Sequence, residues 1–215
     1  MSATAAVSAR PAEPSTKKRL IDEAERLFAQ HGFDGISLRE IAMAAGQGNT
    51  AAVQYHFKDK VGLIDAIFDD RVPTIESGRK EMWAALIAND RLNDPKEILK
   101  ATWLPIVALT RRDGSHMFAR LMMQYLIQPH VTRHPLARDL SSYPNSDRVM
   151  TALHKLHPHL SSEQFFYRLS ILTAMFLVSV VEYDNTLANA KAKPTGGMPT
   201  EQLLTMALAA LQAPG

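Results

Sequence analysis

The residues best suited to chemistry in this sequence are Gln54, Tyr55 and His56, which stand next to one another in a run of small and apolar residues. An amide, a phenol and an imidazole can hydrogen-bond to base edges and to phosphates. The sequence has no paired nucleophile and base, no glycine-rich phosphate loop and no zinc-protease motif around them. If a helix presents these three side chains outward, they support recognition of nucleic acid rather than catalysis.

Two short helices joined by a turn are predicted to position these residues. Ser37 followed by Glu40 is a capping box, in which each side chain accepts a hydrogen bond from the other residue's backbone amide. The first helix should therefore begin at Leu38. Gly46 ends it, because glycine readily adopts the left-handed conformation of a helix terminus. The small side chain of Ala42 allows a second helix to cross closely.

The second helix carries the candidate recognition residues. Asn49 or Thr50 can cap it, and the pattern runs to Phe57. Val53 and Phe57, four residues apart, should face inward. The side chains left outward are short, polar or aromatic, and such side chains reach bases and phosphates. These outward residues are Thr50, Ala51, Gln54, Tyr55 and His56.

An amphipathic helix precedes this pair and completes a three-helix unit over residues 16–57. Apolar residues recur from Thr16 to His31 at the spacing of one helix face, and Gly32 stops the pattern. Helix pairs also occur as ordinary packing units, so spacing alone leaves open whether this one binds DNA.

Composition predicts a soluble, cytoplasmic protein. The 215 residues are 46% hydrophobic and 21% charged, as in ordinary globular domains. The absence of cysteine excludes disulfides and thiol catalysis. The first 15 residues lack the apolar core of a signal peptide and indicate a flexible arm. The longest charge-free apolar run near the end, Leu169 to Val181, has 13 residues, too few for a membrane span.

The net charge of +2 does not by itself argue for DNA. A positive surface would have to come from the placement of a few side chains. The candidates are Lys17, Lys18, Arg39, Lys58 and Lys60.

The rest of the chain is predicted to be all-α, because no stretch alternates with the period of a strand. Helix start signals stand at Asp59, at Asp94-Pro95 and at Ser161, where Gln164 completes a second capping box. Loops are expected over residues 129–144 and 191–198. The predicted helices cover residues 60–88 with a break or kink at Pro73, 95–110 with a kink at Pro105, 115–127, 147–156, 161–187 and 200–211.

The last two predicted helices are apolar on more than one face. Such helices are buried all round, and in a domain of this size a partner chain could cover one face. The alternative is that they fill the core of the monomer. The predicted dimer-interface residues are Phe165, Leu169, Leu172, Phe176, Val180, Leu204 and Leu208.

Methionine and aromatic residues could line a pocket for an apolar or aromatic small molecule, or could be core. The candidates are Trp103, Met117, Phe118, Met122, Tyr125, Phe166 and Met175. Five of the eight histidines lie between residues 130 and 159, and His130 and His134 have the spacing of metal ligands on a helix. Nearby prolines disrupt the helices that would orient them, so we predict no metal site and no cofactor.

Taken together, the first helix, the capping box, the turn from Ala42 to Gly46 and the run from Val53 to Lys60 resemble the DNA-binding domain of the TetR family of bacterial transcriptional regulators. The resemblance covers about residues 16–68. It implies a flexible arm (1–15), a helix-turn-helix DNA-binding domain (16–62) and an all-helical effector-binding and dimerisation domain (63–215). It also implies a homodimer, closed by the last two long helices, that binds a palindromic DNA operator and is controlled by a small effector.

The resemblance assigns roles to individual residues. Arg39 would contact a phosphate or a base, and Lys60 would hold the DNA backbone from the start of the linking helix. Gln54 can pair bidentately with adenine, while Tyr55 and His56 would hold phosphates. The implied DNA-contacting residues are Ser37, Arg39, Asn49, Thr50, Ala51, Gln54, Tyr55, His56 and Lys60.

The turn departs from the usual family pattern. It is one residue longer, and Gln47 stands where an apolar residue is usual, as in a subset of the family that shares the ending AVQYHF. The turn residue that faces DNA is therefore open among Gly48, Asn49 and Thr50.

Other function classes make different predictions. An all-helical scaffold or a small-molecule-binding protein would use the same apolar helices without DNA. An all-α enzyme has no catalytic motif to support it. Only a DNA-binding regulator is expected to bind duplex DNA with an affinity that falls steeply with salt.

Overall fold

The computed structural model describes residues 15–128, 142–189 and 197–214, which contain nine α-helices and no strand. The predicted all-α fold class is therefore confirmed for these residues. The helices are α1 (Thr16–His31), α2 (Leu38–Ala44), α3 (Ala51–Phe57), α4 (Lys60–Ala88), α5 (Pro95–Val107), α6 (Met117–Ile127), α7 (Pro144–Lys155), α8 (Ser162–Asn189) and α9 (Thr200–Gln212).

The predicted helix starts are confirmed where a capping side chain defines them. Asp59 Oδ1 accepts a hydrogen bond from the Gly62 amide at 2.7 Å. In the capping box before α8, the Ser161 amide donates to Gln164 Oε1 at 2.9 Å. Helix ends are less exact, since α5 ends at Val107 rather than near residue 110. Most of the predicted loops at 129–144 and 191–198 lie outside the described residues.

Helix α7 begins at Pro144, three residues before the predicted start. Proline suits the first position of a helix because its missing N–H has no helical partner there. The sequence pattern alone places Pro144 in the preceding loop.

Two prolines lie inside helices without ending them. Pro73 is exposed, and α4 continues past it to Ala88. Pro105 is buried in α5 and faces Gly78 of α4. A Cβ atom built on Gly78 would lie 3.0 Å from Pro105 Cβ, so glycine is what permits α4 and α5 to approach this closely.

Helices α1, α2 and α3 pack with the first turns of α4 around one part of the core. Leu20, Phe28, Ile41 and Val53 are all fully buried there. Phe57 is 5% exposed, which confirms that it and Val53 form the inward face of α3.

The second half of the chain packs α4 against α5 and α7, α6 against α8, and α9 against α5 and α8. The Trp103 ring stacks on Phe176 of α8 with 4.7 Å between ring centroids. Phe68 of α4 contacts Phe118 and Tyr125 of α6 edge-on. Helix α6 thus lies between the linking helix α4 and the long helix α8.

The predicted pocket residues belong mostly to this core. Trp103 and Phe118 are fully buried, and Met122 and Tyr125 are nearly so, while Met117 and Met175 are half-buried against them. Phe166 is different, because it is 44% exposed and lies outside the core. We therefore reassign Phe166 from the pocket to the surface of α8.

The monomer itself packs the predicted dimer-interface residues inside, which agrees with the alternative that they fill its core. Six of the seven are buried in the core, and Leu208 is half-buried against it. A helix that is apolar on two faces offers two candidate stripes, and this stripe is the one that packs within the chain.

The other face of α8 carries exposed apolar side chains. Phe166, Tyr167, Ile171 and Val178 are 44%, 68%, 51% and 45% exposed, and we call them the outer stripe. Among the described residues, α8 is also the one helix that is long and apolar enough to cross a membrane by length and composition, although only 39% of its most apolar window is buried. The 13-residue run lies inside this helix, between Arg168 and Glu182, and the core helix of a soluble protein passes the same composition test.

The clustered histidines serve helix packing. One ring nitrogen each of His154, His157 and His159 lies 3.1, 2.8 and 3.1 Å from a backbone carbonyl oxygen. Within the described part of the chain, no group of three or more His, Cys, Asp or Glu residues could hold a metal ion. His130 and His134 lie outside it.

Candidate nucleic-acid interface

The capping box at the start of α2 is formed as predicted. The Ser37 amide donates to Glu40 Oε2 at 2.8 Å, and the Glu40 amide donates to Ser37 Oγ at 3.3 Å. Hydrogen bonds from the Ser37 hydroxyl and amide lower the pKa of Glu40, so its carboxylate stays ionised. Because the Ser37 hydroxyl donates its proton to Glu40, a hydrogen bond from this side chain to a phosphate would replace that bond, while the helix amide could still donate to Ser37 Oγ.

Replacing Ser37 by alanine is expected to lower the free energy of unfolding by about 1 kcal/mol, since the hydroxyl satisfies an otherwise unpaired helix amide. Urea unfolding at equilibrium measures this loss. Ser77→Ala, at an exposed position inside α4, is the matched control and should be nearly neutral. Equal losses in the two variants would contradict a capping role for Ser37.

The turn after α2 depends on Gly46. Its φ of 74° is in the left-handed region, and nothing lies within 4 Å of the position of a Cβ atom. The Gln47 amide donates to Ala42 O at 2.8 Å and the Gly46 amide donates to Met43 O at 3.0 Å. These two bonds form a Schellman motif, so glycine is needed here for its backbone angle and not for space.

Asn49 supplies the side-chain cap of α3. Its Oδ1 accepts from the Ala51 amide at 2.9 Å, whereas Thr50 occupies the N-cap position without a side-chain bond. Of the two predicted caps, Asn49 therefore makes the hydrogen bond. The extra turn residue is accommodated by an Asx-type bond ahead of the helix.

Helix α3 presents its predicted outward residues at the surface. Ala51 and Gln54 are exposed, and Tyr55 is 85% exposed. His56 is half-buried, and its ring meets the Tyr55 ring edge-on with 5.0 Å between the ring centroids. Residues 51, 54 and 55 lie on one helix face, because their spacing of three and four matches one turn.

A further exposed side chain was not predicted. Met43 of α2 is 63% exposed, four residues after the exposed Arg39. The sequence indicates this exposure, because Met43 does not lie on the apolar face of α2. A flexible thioether side chain there can contact sugar or methyl groups.

The predicted cationic residues divide into two groups. Lys17, Arg39 and Lys58 are exposed. Lys60 Nζ donates to Phe33 O at 2.7 Å, and Lys18 pairs with carboxylates of α1 and α4. Contact of Lys60 with a phosphate therefore stays a prediction, and the structure places its ammonium at the turn between α1 and α2.

A cluster of charges between α1 and α4 was also not predicted. It consists of Lys18, Asp22 and Glu25 of α1 and Asp70 and Arg71 of α4, and we call it the α1–α4 ion cluster. Glu25 is 2% exposed, and burial raises its pKa although its hydrogen bond with Arg71 acts in the opposite direction. A glutamate on the apolar face of α1 was the signal in the sequence.

Comparisons with known proteins agree with this geometry. Residues 20–67 match the family model described as bacterial regulatory proteins, tetR family. The "Probable HTH-type transcriptional regulator YttP" of Bacillus subtilis (strain 168) is 45% identical over 56 residues, which are 26% of this chain and 27% of that protein. The HTH-type transcriptional regulator AcrR of Shigella flexneri is 39% identical over 85 residues, which are 39% of this chain and 38% of that protein.

The whole fold is also similar to a solved structure. A TetR family transcription regulator from Shewanella sp. PV-4 superposes with a TM-score of 0.58 at 15% sequence identity, over 93% of this chain and 97% of that chain. This likeness concerns the fold alone.

The geometry and the matched residues define a helix-turn-helix segment, and residues 20–67 are similar to the corresponding segment of the TetR family of bacterial regulatory proteins. The matched segments span less than two fifths of the length of the curated relatives.

Proposed function

We propose that the protein is a transcriptional regulator, a ligand-responsive repressor that binds a palindromic DNA operator as a homodimer in the cytoplasm. The observation that carries this proposal is the surface of α3. Ala51, Gln54 and Tyr55 are exposed on one face, while Val53 and Phe57 hold the opposite face in the core. A scaffold or a small-molecule-binding protein has no need of this arrangement.

The exposed side chains of α3 suit contacts with the base edges and the phosphates of DNA. The Gln54 amide matches the donor and acceptor of adenine, and the Ala51 methyl group matches the thymine methyl. Tyr55 and Arg39 would contact phosphates, which fix the position of the helix without reading sequence. Asn49 and the exposed Gly48, just before α3, would lie close to the sugar-phosphate backbone of DNA.

Dimerisation supplies a second recognition helix, which a helix of seven residues requires for a specific site. TetR-family regulators typically act as dimers, and the outer stripe is the apolar surface of α8 that the monomer leaves exposed. We assign the interface to this stripe in place of the buried residues predicted from the sequence. Two recognition helices fit successive major grooves when they are about 34–36 Å apart.

The effector is proposed to be a small apolar or aromatic molecule. The remaining candidate contacts are Met117, Met122, Tyr125 and Met175 on α6 and α8, between the linking helix and the proposed dimer helix. A ligand that favours a different separation of the recognition helices by about 3 kcal/mol would lower operator affinity more than 100-fold. Members of this family are normally not enzymes, and no step of this mechanism requires catalysis.

Selection of bound sequences from random DNA duplexes tests the proposed function. The wild-type protein is expected to enrich a consensus with two related half-sites and to lose affinity steeply with salt. Gln54→Ala should relax discrimination at one base pair in each half-site by about 1–3 kcal/mol. No enrichment at low salt would contradict DNA binding, and an unchanged consensus would contradict the role of Gln54.

A matched variant separates base reading from general loss of affinity. Lys155, exposed at the end of α7, is remote in the chain from the unit formed by α1, α2 and α3, which we call the recognition unit. Lys155→Ala should leave both the consensus and the salt dependence as they are in the wild type.

A further inference from the structure

The α1–α4 ion cluster joins the recognition unit to the linking helix. Arg71 Nε donates to Glu25 Oε2 at 2.9 Å, Nη2 donates to Asp22 Oδ1 at 2.7 Å and Nη1 donates to Asp70 Oδ2 at 2.8 Å. Lys18 Nζ lies 2.8 Å from both Asp22 Oδ1 and Asp70 Oδ2. One planar guanidinium thus holds carboxylates of both helices in a fixed geometry.

The burial of Glu25 favours one orientation of α1 relative to α4. Glu25 is 2% exposed, so a shift of α1 relative to α4 that separated it from Arg71 would leave a buried carboxylate without its partner. An unpaired buried charge is strongly unfavourable. Of the possible orientations of the recognition unit on α4, the cluster therefore favours the one in which all three carboxylates reach Arg71.

The turn between α5 and α6 also contacts α1. Arg111 Nη1 donates to the Asp22 backbone carbonyl at 3.1 Å, which ties α1 to the second half of the chain. Beside this contact, an open cleft of about 870 Å³ separates α1 and the end of α2 from Arg111 and Arg112. The cleft leaves this side of α1 open, while α1 also packs against α6.

We propose that the α1–α4 ion cluster determines which spacing between operator half-sites the dimer accepts, with Arg71 as the positioning residue. This inference rests on the proposed function. In a dimer the position of each α3 is set by how its recognition unit projects from α4. One base pair moves a half-site by about 3.4 Å and rotates it by about 35° around the duplex, so the distance and the angle at which α3 projects from α4 together determine the preferred spacing.

The test uses the half-site obtained by selection, placed twice in duplexes whose spacing varies by one base pair at a time. The wild-type protein should prefer one spacing over its neighbours by about tenfold. Arg71→Met should reduce this preference to less than about threefold or move the optimum by at least one base pair. Affinity for a single half-site should stay as in the wild type, because α3 is unchanged.

Two further variants separate positioning from folding. The double variant Glu25→Gln with Arg71→Met removes the buried charge together with its partner and should fold, while showing the same altered spacing profile. Arg148→Met removes a guanidinium that lies over Trp83, at 5.9 Å from the ring centroid and outside the cluster, and should keep the wild-type profile. A loss of folded protein would lower the affinity for every spacing equally.

The outcomes distinguish this inference from the proposed function. If the wild-type protein binds no duplex, the proposed function is wrong. If the wild-type protein has a clear optimum and the folded double variant keeps it, the cluster does not determine spacing and the inference is overturned.

Discussion

Replacing Ile171 by glutamate is expected to convert the dimer to a monomer and to lower operator affinity by more than about 100-fold. Ile171 is 51% exposed in the middle of the outer stripe, so the monomer tolerates a charge there. In the proposed dimer the same position would be buried, and a carboxylate without a partner would oppose association. A monomer holds only one half-site at a time and loses the contribution of the second.

Sedimentation velocity at micromolar concentration, together with titration of a labelled operator, measures both effects. Ile87→Glu is the matched control, because Ile87 is 57% exposed at the end of α4 and carries the same substitution away from α8. That variant should remain dimeric and bind the operator normally. If Ile171→Glu stays dimeric, the outer stripe is not the interface.

If Ile171→Glu stays dimeric, another partner must cover the outer stripe. Because α8 is long and apolar enough to cross a membrane by composition, flotation with phospholipid vesicles would then test whether lipid covers the outer stripe. Binding of the wild-type protein to vesicles, lost in Ile171→Glu, would assign the surface to a membrane.

Replacing Trp103 by alanine is expected to lower the free energy of unfolding by about 3–5 kcal/mol, the usual loss for a large aromatic side chain in a packed core. Trp103 is fully buried and stacks on Phe176. Its indole Nε1 donates to Thr173 Oγ1 at 3.0 Å, which joins α5 to α8. The loss combines the buried area, the stacking contact and the cavity left behind.

Urea unfolding followed by circular dichroism measures this loss. Trp83→Ala is the control, because Trp83 is half-buried and contacts Arg148 at the surface, so a smaller loss is expected. A loss below about 1 kcal/mol for Trp103→Ala would indicate that Trp103 borders an open pocket instead of a packed core. The experiment therefore decides between the two interpretations that the sequence left open for this residue.

Local signals in the sequence determined the helices and the recognition surface. The Ser37 and Glu40 capping box, the glycine at position 46 and the Asp59 cap depend on residues within about one turn of one another, so spacing alone predicts them. The same holds for the outward face of α3, because Val53 and Phe57, four residues apart, are the buried residues of that short helix. For this reason the sequence alone predicts that Ala51, Gln54 and Tyr55 lie at the surface.

Which apolar face of α8 is buried was decided only by the tertiary structure. Phe165, Leu169 and Phe176 were predicted to meet a partner chain, and the fold packs them inside the monomer instead. The two apolar stripes of α8 have similar side chains, so their composition cannot distinguish core from surface. Only the positions of α6 and α9 do so.

The α1–α4 ion cluster and the position of Lys60 also required the tertiary structure. Glu25 and Arg71 are 46 residues apart in the chain, and Lys60 donates to a carbonyl oxygen 27 residues before it. The sequence by itself determined helix α3 and its outward face, because capping and helix periodicity act over a few neighbouring residues. The tertiary structure alone decided how that helix is held on the rest of the protein, because contacts between distant charges and between alternative apolar faces depend on how the helices pack.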